Sequence, residues 1–294
     1  MRSKQLYKEV EVMVAAVDSA SEGLHKHHFF QMIYVMEGSG IHAVNGNRFS
    51  FEKGDVFLLT PEDAHSYEAA SSPVFCIIDF TKNFFYKTAN SREEKVDISD
   101  AFKRLEYIFH NQHNVKGSLL LDSDRPVFEA LITQLIAEKT NEGPFSKIIT
   151  QNIIFLLLNF IARDIQQQIA GYSQEGNPQN RIHAITTYIQ HHIYDKQLLS
   201  IESLAEQFNM SEGHLSRYFK QQTGNTIKDY TTRYKLNVIQ TRLKFSDLTI
   251  SEIAAEMNFT DESHLNKVFK NAFGVTAKQF RTDYKRGNQG QLTS

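Results

Sequence analysis

The chain has 294 residues, enough for two domains that each bury a core. Hydrophobic residues make up 41% and charged residues 22%, the balance of an ordinary soluble globular protein, and the single cysteine, Cys76, excludes an intrachain disulfide and favours a reducing compartment. The net charge of −2 hides an asymmetry: residues 178–286 carry 15 Lys and Arg against 11 Asp and Glu, while the remainder carries 17 against 23. A modestly basic C-terminal part on an acidic partner has the sign expected for phosphate contact, although charge alone is a weak argument.

Met1 to Ala20 contains no apolar run long enough for a signal peptide. From about Gln5 to Phe85 the pattern is β. Short segments rich in β-branched and aromatic residues, Phe30 to Met36, Gly40 to Asn45 and Asp55 to Leu59, alternate with turn signals at Glu37–Gly40, Asn45–Asn47, Lys53–Asp55 and Thr60–Asp63. Asn45-Gly46 is a two-residue hairpin turn, and strands this short and close predict an antiparallel barrel or sandwich.

From about Ile98 to Ile169 the apolar period becomes helical, through Leu105 and Ile108, then Phe128, Ile132 and Leu135, then Ile149, Ile153, Leu157 and Ile161. Three helices are expected, the second starting near Asp122–Asp124 ahead of Pro126. The third is apolar on nearly all sides around Ile153–Leu158, so either a dimer partner or the barrel must cover it. Its ten most apolar residues, Ile153 to Ala162, fall short of a bilayer span, which needs roughly 20. No membrane contact is expected, and the expected location is the cytoplasm. Gly171 to Asn180 is polar with Gly and Pro and marks the domain boundary; beyond it the chain reads as helix to about Lys285.

Within that helical part a pattern occurs twice. Ser200, Ile201, Leu204, Ala205, Phe208, Asn209 and Ser211 align with Thr249, Ile250, Ile253, Ala254, Met257, Asn258 and Thr260. After one inserted residue, His214, Leu215, Phe219, Lys220, Gly224 and Thr226 align with His264, Leu265, Phe269, Lys270, Gly274 and Thr276. Ser200 and Thr249 can cap a short helix, and Ser211 and Thr260 the next. Asn209 and Asn258 stand where the chain must turn, and asparagine tolerates a left-handed backbone. Leu215 and Phe219, like Leu265 and Phe269, face a core, and Gly224 and Gly274 end their helices. Each copy reads as a helix-turn-helix, or as a structural αα-hairpin; two copies in one register, joined by a helix from Tyr230 to about Phe245, favour the DNA-binding reading.

The segment Leu199 to Arg286 resembles the AraC-type regulators, whose DNA-binding domain is two helix-turn-helix units joined by a linker helix. The resemblance is carried by Ser211, Leu215 to Lys220 and Thr223-Gly224, then Ile250, Ile253-Ala254, Asn258-Phe259, Val268 to Lys270, Phe273 to Val275 and Tyr284. Two residues depart from the usual pattern: Asn258 replaces a glycine, and Ala277 replaces the proline after Thr276. The resemblance implies that base contacts come from Gly213, Ser216 and Arg217 on one recognition helix and from Glu262, Asn266 and Lys267 on the other. Arg217 can pair with guanine and Asn266 with adenine. Glu262 can accept from cytosine or can be a solvated charge at a helix N-terminus. Lys220 and Lys270 are expected to hold phosphates.

In the β region, His25-Lys-His27 with Gly38 and Gly40, then Gly54-Asp55 with Pro61 and His65, resembles the two motifs of cupins, with Gln31 where metal-binding members have a glutamate. Strand alternation puts His25, His27 and Gln31 on one face. These groups can be hydrogen-bonded structural residues, ligand-binding residues or, least favoured for want of a carboxylate, metal ligands. The resemblance implies an effector pocket with His27, Gln31, Tyr34, His65 and Tyr67 as candidates, and a polar, aromatic lining that would suit a sugar.

The expected fold is α+β. Residues 1–96 form a cupin-like effector-binding barrel, 97–170 a helical dimerisation region, 171–180 a linker, 181–286 a double helix-turn-helix domain and 287–294 a tail. The expected function is a sequence-specific DNA-binding transcription regulator, with no catalytic residue, metal or cofactor. Its expected partners are double-stranded DNA, a small-molecule effector and a second copy of the chain, with RNA polymerase as a further candidate. The rivals are a metal-dependent cupin enzyme with an appended regulator domain, and a regulator whose barrel only dimerises.

Overall fold

The computed structural model describes the chain apart from residues 1, 5, 7, 17–22, 62, 82–83, 85–94, 113–117, 172–177 and 291–294. It divides into two compact units, Met1–Gln168 and Ile169–Ser294.

Unit 1 begins with nine strands: β1 (Arg2–Lys4), β2 (Val10–Ala16), β3 (His25–His27), β4 (Phe30–Glu37), β5 (Gly40–Val44), β6 (Asn47–Phe51), β7 (Val56–Leu59), β8 (His65–Ala69) and β9 (Val74–Phe80). They form two sheets, of order β1-β3-β8-β5-β6 and β2-β9-β4-β7. Ile33, Val35, Leu59 and Phe75 from the second sheet meet Phe51 and Tyr67 from the first in one buried cluster, so the sheets pack face to face. Among the described residues the two sheets are not closed into a single barrel by hydrogen bonds. Asn45 and Gly46, with φ of 51° and 82°, make the expected hairpin turn and set Val44 opposite Asn47.

Three helices follow: α1 (Lys95–Asn111), α2 (Arg125–Thr140) and α3 (Ser146–Gly171). They lie on the second sheet's other side, where Phe109 of α1 stacks on Phe30 and Phe128 of α2 packs against Tyr34. Helix α2 starts where expected, but Asp124 does not cap it: its backbone is helical and its carboxylate is taken by Arg163 at 2.6 Å. Helix α3 is much longer than its ten-residue apolar centre. By length and composition alone, Ser146–Gln168 is enough to cross a membrane. Ile154, Leu157, Ile161 and Ile165 are fully buried inside unit 1, which is the position of a core helix. Unit 1 therefore covers one side of it, while Ile148 and Leu156 stay exposed.

Unit 2 holds α4 (Pro178–His191), α5 (Ile201–Gln207), α6 (Glu212–Thr223), α7 (Ile227–Phe245), α8 (Ile250–Glu256), α9 (Glu262–Phe273) and α10 (Ala277–Gly290). The polar boundary segment is shorter than expected, because α3 runs to Gly171 and α4 starts at Pro178; residues 172–177 of that segment lie outside the described ones. Likewise α10 continues to Gly290, inside the expected tail.

Each repeated residue has its local cause. Ser200 accepts from the Ser203 N–H, and Thr249 forms a full capping box with Glu252. Asn209 and Asn258 have φ of 51° and 58°, the left-handed turn between paired helices. Ser211 caps α6, but α9 is capped by Asp261 rather than Thr260. The inserted residue falls just before that cap, so Asp261 matches Ser211 and its carboxylate accepts from the His264 N–H at 2.7 Å. Gly224 and Gly274 close the two helices at φ of 74° and 77°. A Cβ added at either glycine meets nothing within 4 Å, so Gly224→Ala or Gly274→Ala costs only the left-handed backbone, about 1–2 kcal/mol each. Urea unfolding followed by far-UV circular dichroism reads that loss in the helical unit; unchanged stability would show that the turn does not need glycine.

Candidate DNA-binding face and effector region

Helices α6 and α9 stand on one core. Leu215 and Phe219 from α6 and Leu265 and Phe269 from α9 are fully buried in a single cluster. That cluster also contains Leu204 of α5, Ile253 of α8, and Ile239 and Leu243 of α7. Tyr218 and Val268 are partly buried against the same core. With these side chains fixed inward, the helical period leaves Gly213, Ser216, Arg217 and Lys220 exposed on α6, and Glu262, Lys267 and Lys270 exposed on α9. Asn266 differs: it is half-buried, and its Oδ1 accepts the Ala277 N–H at 3.0 Å.

A cleft of about 710 Å³ runs beside α6, lined by Lys196, Arg217, Lys220, Lys228 and Lys235 together with Leu199, Ile201 and Ile227, and by no carboxylate. Lys235 donates to the Met257 carbonyl at 2.8 Å, and burial, helped by the charge of Lys196, holds its ammonium below the usual lysine range. Clustered cations on a concave wall favour an anion. Lys196 and Lys228 were not among the expected contacts, because only the fold brings them beside the recognition helix.

In unit 1, four histidines come together, the three named from sequence and one more. Rings of His25 and His65 are 4.3 Å apart, His27 and His65 5.3 Å, and His42 and His65 5.3 Å. His42 Nε2 and His65 Nδ1 share a hydrogen bond at 3.1 Å, and the His42 ring stacks on Tyr67 at 4.5 Å. His42 was missed, although its signal was legible: it pairs across strands with Tyr67, and strand alternation points both side chains to one face. Burial, reinforced by the charge of His25, pushes the His42 imidazole down to about 3. Burial pushes the Cys76 thiol up to about 12.

Of the expected pocket residues, Gln31 comes from the opposite sheet and Tyr34 sits elsewhere. The strand breaks at His28-Phe29, so His25 and His27 belong to one sheet and Gln31 to the other; alternation does not carry across the break. Gln31 donates to Asp79 Oδ1 at 2.7 Å. Tyr34 lies on the opposite face of β4 from Ile33 and Val35, against Phe128, where burial pushes its phenol up to about 12. Among the described residues, no group of three or more His, Cys, Asp or Glu is arranged to hold a metal ion.

His27, Gln31, His65 and Tyr67 are all buried, so none opens directly to solvent. The open cavity lies beside them. It measures about 980 Å³ and includes Asn47, Phe49, Ser50, Phe51, Phe57 and Gln112 in its lining. Two of those rings form its back wall: Phe57 packs edge-on against His42 at 4.5 Å, and Phe51 against Tyr67 at 6.5 Å.

A double helix-turn-helix with outward polar faces, joined to a two-sheet domain with a polar and aromatic interior, defines a DNA-binding regulator with a ligand-binding domain. Residues 17–158 match the AraC-like ligand binding domain family, and residues 204–283 match a helix-turn-helix domain family. Among similar proteins are the HTH-type transcriptional activator RhaS of Escherichia coli O139:H28, 24% identical over 80% of this chain and 78% of its own, and the HTH-type transcriptional activator RhaR of Mannheimia succiniciproducens, 26% identical over 80% and 78%. The uncharacterized regulator YfiF of Bacillus subtilis is 27% identical over 80% of this chain and 71% of its own. The chain belongs to the AraC-type family of transcription regulators, and it is a regulator rather than an enzyme.

The depressed His42 gives a pH signature. Below about pH 6.5 the unfolded chain protonates this imidazole, while the folded one stays neutral to about 3. The folded state binds fewer protons across that window, so stability falls as pH falls, by at most about 1.4 kcal/mol per pH unit. His42→Gln flattens the slope, as read by thermal unfolding between about pH 7 and about pH 4. Identical slopes for both proteins would show that His42 is not the group responsible.

Proposed function

We propose that α6 and α9 enter successive major-groove segments of one DNA site. Gly213, Ser216 and Arg217, with Glu262, Asn266 and Lys267, then face base edges, while Lys220 and Lys270 hold phosphates. What supports this most is that both polar faces stand on one shared core, which fixes them relative to each other. Lys196 and Lys228 extend the phosphate track along the cleft beside α6.

We infer further that a polar small molecule such as a sugar is bound in unit 1 and controls the regulator. The cavity between the sheet edges offers it the rings of Phe49 and Phe57 and the polar groups of Asn47, Ser50 and Gln112. His27, Gln31, His65 and Tyr67 form the buried polar interior behind that seat. The effector acts only if it binds two arrangements of the protein unequally. The protein works in the cytoplasm as a homodimer and acts together with RNA polymerase. Val127, Phe145, Ile148 and Leu156 are exposed apolar side chains of the helical region that a second copy would cover; sedimentation as a monomer would remove the dimer.

A titration with full-length protein at fixed salt tests the reading. Arg217→Ala lowers affinity for a selected site by about 1–3 kcal/mol more than for random DNA. Equal losses on both would remove its base-reading role. In the same assay a panel of sugars shifts the wild-type binding midpoint; a panel without effect would remove the sugar.

A further inference from the structure

The two recognition helices are not chemically equivalent, and the difference lies in one hydrogen bond. Ala277 opens α10, where the first backbone N–H groups have no partner inside their own helix. Thr276 caps that helix by accepting from the Gln279 N–H at 3.2 Å, which leaves the Ala277 N–H to be satisfied otherwise. Asn266 supplies the acceptor from α9, through Oδ1 at 3.0 Å. A proline at position 277 would have no N–H to donate.

A backbone N–H can only donate, so the side-chain oxygen of Asn266 must face α10 and its NH2 must point away. Asparagine reads adenine by using both ends, accepting from N6 and donating to N7. Here the accepting end is tied back into the protein. At the matching place on α6, Ser216 is exposed and its hydroxyl is both donor and acceptor.

We infer that Asn266 is a specificity-determining residue that offers the groove a donor only. It serves any base whose major-groove edge carries an acceptor, guanine O6 or N7, thymine O4 or adenine N7, and rejects cytosine, whose amino group would meet its NH2 donor to donor; adenine keeps one bond of its usual two. The Ala277 N–H is the positioning group that imposes this choice. The inference rests on the proposal that α9 lies in the major groove, and it replaces the adenine pairing expected for Asn266.

Selection of bound sites from a randomised duplex library, using the full-length protein, tests it. The position read by Asn266 is the one whose preference Asn266→Ala erases, and the wild type excludes cytosine there. Asn266→Asp keeps an oxygen on the Ala277 N–H, where a carboxylate is favoured at a helix N-terminus, and turns the outward group into an acceptor. Preference at that position then moves to adenine or cytosine by roughly tenfold. Ala277→Pro suits the first position of a helix, removes the N–H and frees the amide, so adenine gains by a similar factor. A wild type that selects cytosine there, or Asn266→Asp and Ala277→Pro variants that keep the wild-type base ranking, would overturn the inference while leaving the groove reading intact. A protein that selects no site at all would overturn the groove reading together with it.

Discussion

The arrangement of the DNA-binding unit depends on α7. This helix supplies Tyr234, Leu236, Val238, Ile239 and Leu243 to one continuous core that both helix-turn-helix copies share. A short helix pair cannot bury its apolar side alone, and two pairs on a flexible tether would each be marginal. Packed on α7 they become one body, so the spacing of α6 and α9 is a property of the fold. Polar contacts add to the apolar ones. Arg242, almost wholly buried, pairs with Glu256 of α8 and lies over the Tyr194 ring at 5.1 Å. Removing one partner of such a pair leaves a charge without compensation, which makes the contact directional as well as attractive.

That rigidity divides labour between residues. Side chains on the inward faces of α6 and α9 position, and those on the outward faces are free to meet a ligand. Asn266 is the exception, half inward and half outward, and its bond to α10 shows how a packing substitution at residue 277 can reach the reading face. In unit 1 the same separation appears in another form. The imidazoles and Tyr67 form a closed layer, and Phe51 and Phe57 stand between that layer and the open cavity. A ligand seated against those rings would press on the buried layer behind them. This is how binding energy can bias one arrangement over another.

Much of unit 2 was legible because its determinants are local. Caps, left-handed asparagines and closing glycines act within four or five residues, so the repeat stated them directly. The Asp261 cap was misplaced by one residue because a single insertion can be absorbed on either side of Thr260. Errors in unit 1 came from contacts that cross strands. His42 is defined by His65 and Tyr67, about twenty-five residues away in sequence, and Gln31 by Asp79. Tyr34 was assigned to the pocket by residue type, although alternation with Ile33 and Val35 places it beneath α2. The departure at Ala277 is legible in the sequence; its consequence is not, since it needs the contact between Asn266 and Ala277, eleven residues apart and on different helices.

Hydroxyl-radical and methylation-protection footprinting of the full-length protein on a selected duplex tests the central claim most directly. Two helices fixed on one core should protect two major-groove patches about 10 base pairs apart, on one side of the duplex. A single patch, or two patches whose separation varies from site to site, would contradict a shared rigid core.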